Sequence, residues 1–195
     1  MSEAAPVRLA IYGGAFDPVH NGHLAVARAA ADRFHLDHVL FIPAANPPHK
    51  PASHVPYEDR LRMLELAIAG DPRFEVSRLE EHTARSYSID TIEAVRAGMA
   101  PSDELFFLIG ADAFAEIRTW HRWRDVARAV TFLVVSRPGH RYQVPPETRV
   151  ERLDTMELPI SSSEIRRKLA AGEITLDVPG AVLGYIASRY LYATK

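Results

Sequence analysis

The residues with the clearest chemical potential are Gly13-Gly14-Ala15-Phe16-Asp17-Pro18-Val19-His20-Asn21-Gly22-His23. They follow the apolar run Val7 to Tyr12, which reads as a β-strand. Paired glycines let backbone N–H groups approach an anion closely. Gly22 opens a helix-type stretch, and a helix N-terminus carries partial positive charge. His20 and His23 lie three residues apart across that entry, so both imidazoles can face one point. Two such donors suit the charge that builds on a phosphoryl group during transfer. The spacing fits neither the G-x-G-x-x-G fingerprint nor a Walker A loop, because no Gly-Lys pair exists in the chain. Two other readings stay open. The histidines could hold a metal with a third ligand from elsewhere, or they could be structural, one a cap and one in the core.

A second cluster is Ile160-Ser161-Ser162-Ser163-Glu164-Ile165-Arg166-Arg167. Ser161-x-x-Glu164 is the pattern of a capping box, so a helix begins there. Its first turn offers hydroxyls, unpaired N–H groups and, one turn on, Arg166. That set binds phosphate, although a capped surface helix with a solvated basic face would look the same. Arg167 is expected to face solvent.

Five further stretches carry candidate ligand groups. Asn46-Pro47-Pro48-His49-Lys50 lies in a loop with five prolines between residues 43 and 56. Stiff loops of that length tend to be functional. Arg85 to Thr91 contains Ser88, a candidate N-cap. Gly110 and Asp112 end the apolar run Glu104 to Ile109, and Asp112 could equally be a helix N-cap. Trp120 and His121 follow, and Trp120 beside polar neighbours could stack on an aromatic ligand. Trp123 reads as packing. Ser136-Arg137-Pro138-Gly139 closes the last long apolar run.

The opening motif resembles the signature of the nucleotidyltransferases related to class I aminoacyl-tRNA synthetases. Within that superfamily the chain is most similar to the bacterial nicotinate-mononucleotide adenylyltransferases. The likeness runs from Leu9 to Tyr192 through separated motifs. It implies adenylyl transfer from ATP to nicotinate mononucleotide, giving deamido-NAD and pyrophosphate. It implies catalytic roles for His20, His23 and Arg166. It implies ATP binding by Gly13, Gly14, Ala15, Phe16, His20, His23, Gly110, Asp112, Arg137, Ser162, Ser163 and Arg166. The acceptor would be held by Asn46, His49, Lys50, Ser88, Trp120 and His121. Mg²⁺ would come with ATP on mostly water ligands, so no protein metal ligand is expected. Ser88 stands where the family usually has Thr, and His121 where it often has Tyr. The second departure leaves open how strictly nicotinate is preferred over nicotinamide. The alternatives are phosphopantetheine adenylyltransferase, a histidine-metal hydrolase, and a non-enzymatic nucleotide-binding module.

The elements that must position these groups alternate. Strands are expected at Val7–Tyr12, Val39–Ile42, Phe74–Val76, Glu104–Ile109, Thr131–Val135 and Val150–Leu153. Helices are expected at His23–Phe34, Tyr57–Ala69, Ser88–Ala97, Ser162–Ala171 and Ala181–Leu191. One or two short helices should fill Asp112 to Ala129. The last helix should bury Val182, Leu183, Ile186 and Tyr190 on one stripe. Such alternation points to a doubly wound, Rossmann-like α/β fold with a parallel sheet. The 195 residues suit a single nucleotidyltransferase domain, with 1–6 as a disordered tail. A net charge of −2 gives no global basic field, so nucleic acid is not an expected partner. Cysteine is absent, which excludes disulfides and thiolate chemistry. Neither a signal peptide nor a membrane span is visible, and the expected setting is the cytoplasm. A homo-oligomer is compatible with the sequence.

Overall fold

In the computed structural model the described residues are 5–47, 53–136, 141–154 and 160–193. Six parallel strands form one sheet in the order β3-β2-β1-β4-β5-β6. They are β1 (Arg8–Gly14), β2 (His38–Pro43), β3 (Phe74–Val76), β4 (Glu104–Gly110), β5 (Thr131–Ser136) and β6 (Arg149–Asp154). The central strands are apolar almost without a break: Leu105 to Ile109 are all buried. An all-parallel sheet has helices on both faces, so its strands lack the alternation of a half-wet sheet.

The helices divide between the two faces. α1 (Asn21–Phe34), α2 (Tyr57–Ile68), α6 (Ser162–Ala170) and α7 (Gly180–Ser188) feed one core through Leu24, Met63, Leu64, Ile165, Val182 and Ile186. α3 (Ser88–Ala97), α4 (Ala111–Ala115), a 3₁₀ turn (Ile117–Thr119) and α5 (Trp123–Ala129) feed the other, through Ile89, Ile92, Phe114, Ile117 and Val126. α1 buries Ala27, Ala30 and Ala31. Small side chains at those positions let its axis lie close to the sheet.

The strand order reverses between β1 and β4, which are neighbours. In open α/β sheets that crevice, beyond the carboxyl ends of the strands, is where ligands bind. β1 ends on Gly13-Gly14 and β4 on Gly110.

Three local expectations need correction. α7 ends at Ser188 rather than Leu191, and Tyr190 takes a left-handed backbone (φ 53°) that turns it off the buried stripe, 84% exposed. Tyr87, not Ser88, is the N-cap of α3, and Ser88 is its first helical residue. Gly110, not Asp112, caps α4. Residues 1–4 of the expected tail lie outside the described residues; Ala5 and Pro6 are exposed and in no regular element. No helix among the described residues is long and apolar enough to cross a membrane.

Candidate active site

The turn from β1 into α1 is built around the two histidines. His20 is the N-cap of α1, and its Nδ1 accepts from the backbone N–H of His23 at 3.3 Å. In return, the backbone N–H of His20 donates to Nδ1 of His23 at 3.2 Å. This is a capping box made of imidazoles rather than of Ser and Glu. The rings stack with centroids 3.7 Å apart and 26° between planes. The cap reading of the sequence is therefore realised, and it is compatible with chemistry. Each Nδ1 is used as an acceptor, so each ring carries its proton on Nε2. Burial keeps both rings uncharged. It lowers the pKa of His20 to about 4, against a small opposing pull from Asp177, and lowers that of His23 well below its usual value, helped by His20. The result is two neutral N–H donors at a helix N-terminus.

The glycines make this geometry possible. A Cβ on Gly22 would stand 3.0 Å from His20 Nδ1, where the ring folds back onto the helix. A Cβ on Gly14 would meet the Phe16 ring at 3.1 Å. Phe16 has a left-handed backbone (φ 47°) and a buried side chain, packed edge-on against His23 with centroids 5.1 Å apart. Only its main chain is available to a nucleotide. Gly13 lies on the other side of the strand, and its Cβ would touch Phe107 at 3.9 Å.

A second helix N-terminus closes on this turn. Ser161 caps α6 by accepting from the N–H of Glu164 at 3.2 Å. Only half of the expected box forms, because the Glu164 carboxylate pairs with Arg167 at 2.7 Å instead. Arg167 faces solvent as expected, paired there with the Glu164 carboxylate. Ser162 donates to the carbonyl of Pro18 at 3.0 Å, and Arg166 donates to the carbonyl of Asp17 at 2.7 Å. His20, His23, Ser162 and Arg166, far apart in sequence, therefore share one turn. Ser163 is exposed in the first turn of α6.

Buried polar groups that sequence reasoning missed brace the same turn. Arg60, on α2, is only 2% exposed and donates to the carbonyls of Ala15 at 2.7 Å and Ala44 at 2.9 Å. Its Nε has no hydrogen-bond partner among the described residues, its guanidinium lies 5.4 Å from the Tyr57 ring centroid, and burial lowers its pKa. A charge on a helix reads as a solvent face, so no signal in the sequence points to this bracket. Asp17, 4% exposed, accepts from the Tyr192 hydroxyl at 2.7 Å and from the backbone N–H of His54 at 2.6 Å.

The remaining candidates lie along the neighbouring strand ends. Ser86 accepts from the N–H groups of Ala45 and Asn46, both at 3.1 Å, and the Asn46 amide donates to the carbonyl of Thr83 at 2.9 Å. The loop after β2 is thereby tied to the segment that starts α3, next to Ser88. His121 lies against Tyr87 with centroids 4.4 Å apart, and Trp120 packs edge-on against Phe107 at 5.8 Å. Trp123 takes guanidiniums, Arg124 at 4.7 Å and Arg118 at 6.0 Å, rather than core neighbours. Asp112 is exposed in the first turn of α4, and a Cβ on Gly110 would meet open space. His49, Lys50 and Arg137 lie outside the described residues. No three His, Asp or Glu side chains converge as a metal site among the described residues.

Residues 11–168 match the cytidylyltransferase-like family. A protein from Solibacter usitatus named probable nicotinate-nucleotide adenylyltransferase is 68% identical over 187 residues, covering 95% of this chain and all of that one. The chain belongs to this family. A relative of the same name from Thermus thermophilus is 44% identical over 188 residues, covering 95% of this chain and 100% of its own. The family fold extends to much more distant proteins. Nicotinic acid mononucleotide adenylyltransferase from Plasmodium falciparum, solved as its complex with NaAD, superposes with a TM-score of 0.79 at 20% identity, over 95% of this chain and 97% of that one.

Proposed function

We propose that the protein is a nicotinate-nucleotide adenylyltransferase that joins the adenylyl group of ATP to nicotinate mononucleotide, within a single nucleotidyltransferase domain. An oxygen of the acceptor's 5′-phosphate attacks the α-phosphorus of ATP in line. The bond from that phosphorus to the oxygen bridging to the β-phosphate breaks, and its electron pair leaves with pyrophosphate. The products are nicotinate adenine dinucleotide and pyrophosphate, and no covalent enzyme intermediate forms.

The observation that carries this reading is the reciprocal histidine cap. Two neutral imidazoles, each with its proton on Nε2, stand at the N-terminus of α1 beside Ser162 and Arg166. Nothing in the reaction needs a proton from them. Donors fixed before the substrate arrives stabilise the charge that develops on the phosphoryl oxygens at little reorganisation cost. Arg166 and the α6 N-terminus then take the triphosphate, and the backbone of residues 13–16 runs along it. Lys50 and Arg137 are assigned to phosphate, and Gly110 and Asp112 to the adenosine side.

The acceptor falls to the other face of the sheet. Trp120 stacks on the pyridine ring, His121 flanks it, and the start of α3 at Ser88 meets the pyridine carboxylate. Asn46 and His49 are assigned to the acceptor mononucleotide. Mg²⁺ bound with ATP would supply charge neutralisation on the phosphates, held mostly by phosphate oxygens and water. The buried carboxylate at the turn, Asp17, is engaged by Tyr192 and His54. The cytoplasm is the setting that suits these substrates.

The test is pyrophosphate release with ATP and Mg²⁺, comparing nicotinate mononucleotide, nicotinamide mononucleotide and phosphopantetheine as acceptors. Release strongest with nicotinate mononucleotide is expected. Release with phosphopantetheine alone would keep the nucleotide half and overturn the acceptor assignment. ATP binding without release from any acceptor would leave a binding module.

A further inference from the structure

The loop after β2 returns to the nucleotide side of the sheet at His54, a residue that none of the motifs includes. Its backbone N–H and its ring Nδ1 both face one carboxylate oxygen, Oδ2 of Asp17, at 2.6 Å and 3.2 Å. The other oxygen of Asp17 accepts from Tyr192. A carboxylate at neutral pH only accepts, so Nδ1 of His54 carries a proton. This reverses the arrangement at His20 and His23, where Nδ1 is the acceptor. The far edge of the ring, with Nε2, makes no hydrogen bond among the described residues, and the side chain is 57% exposed.

His54 lines an open pocket of 520 Å³ together with Ser163, Arg166, Arg167 and Tyr192. The pocket is cationic. Arg166 is spent on a carbonyl rather than a carboxylate, and it makes no ion pair among the described residues. Arg167 is offset by Glu164. The exposed hydroxyl of Ser163 adds a donor from the first turn of α6. A ligand with several anionic oxygens fits these groups.

We propose that His54 is a further substrate-contacting residue, binding the pyrophosphate end of ATP and the released pyrophosphate through Nε2, with Asp17 as its positioning residue. This rests on the adenylyl-transfer reading above. To donate from Nε2 while Nδ1 donates to Asp17, the ring must be doubly protonated. Asp17 on one side and a pyrophosphate oxygen on the other can each accept one of its two protons.

His54→Asn separates contact from tether. Its amide can still donate to Asp17 from the Nδ1 position, but it has nothing at Nε2. The expected result is a rise of about tenfold in the inhibition constant of pyrophosphate against ATP. The KM for ATP rises with it, and the KM for nicotinate mononucleotide stays put. A thermal melt checks that the fold is intact. If His54→Asn inhibits like wild type while His54→Ala does not, the imidazole only tethers the loop and the proposal fails. If wild type releases no pyrophosphate with any acceptor, the adenylyl-transfer reading fails instead. Calorimetric titration with magnesium pyrophosphate then still decides the pocket, since equal affinity in wild type and His54→Asn would overturn it.

Discussion

The two halves of the site are built differently. At the end proposed for the nucleotide, several polar side chains are buried and engaged within the fold: His20 on a helix start, Asp17 on a hydroxyl and an amide, Arg60 on two carbonyls. At the edge proposed for the acceptor, Trp120 is half-buried, and Asn46 and His121 are exposed. There the shaping contacts are ring against ring and loop against loop. The boundary runs through two adjacent glycines. Gly14 faces Phe16, which packs on His23, while Gly13 faces Phe107, which packs on Trp120. A rigid end suits a cosubstrate whose charge must be met without delay. A softer edge suits the ring that distinguishes one acceptor from another.

Substitutions can break or sharpen that contrast. The largest effect is expected for His23→Ala, which removes a fixed donor and should lower kcat by about 100- to 1,000-fold with little change in the KM for ATP. Steady-state kinetics would show it, and a kcat near wild type would remove His23 from the chemistry. Next comes Arg60→Leu. Two buried carbonyls lose their donor, which should cost about 2 kcal/mol in urea unfolding and weaken ATP along with it. Unchanged ATP kinetics in that variant would mean that the nucleotide end does not depend on its bracing.

Acid provides the third test. The unfolded chain protonates histidine near pH 6.5, whereas folded His20 resists until about 4. Between those values the unfolded state binds more protons, so stability falls as pH falls, by about 1 kcal/mol per pH unit, and is fully present above pH 6.5. His20→Asn keeps a good cap without the titration, so its melting temperature should fall less steeply over that window. Parallel slopes would place the acid sensitivity elsewhere. The smallest effect belongs to the acceptor edge. Trp120→Ala should raise the KM for nicotinate mononucleotide about tenfold and leave that for ATP in place. Equal weakening of both substrates would dissolve the distinction between the two halves.

The same contrast governs what could be read from the sequence. Parallel strands buried on both faces are unbroken apolar runs, so β1, β2, β4 and β5 were legible almost to the residue. The motif from Gly13 to His23 was legible as a helix entry with two imidazoles, because its information is local. Arg60 was not, since a charge on an amphipathic helix is ordinarily on the wet face. Nor were the bonds of Asp17 to His54 and Tyr192, which join positions 37 and 175 residues away. Residues 111–129 form two short helices and a 3₁₀ turn. Their interruptions follow from local caps that periodicity does not resolve. Arg122, for example, caps α5 from a left-handed backbone.

The histidine cap has a consequence for how this enzyme is switched on. The bond that starts α1 is also the bond that puts the proton on the outer nitrogen of His20. The chain therefore sets the His20 tautomer as it completes the first turn of this helix. The backbone amide of His23 becomes a reporter of readiness. Its exchange with deuterated solvent should slow in step with the appearance of competent enzyme during refolding, in the absence of any substrate.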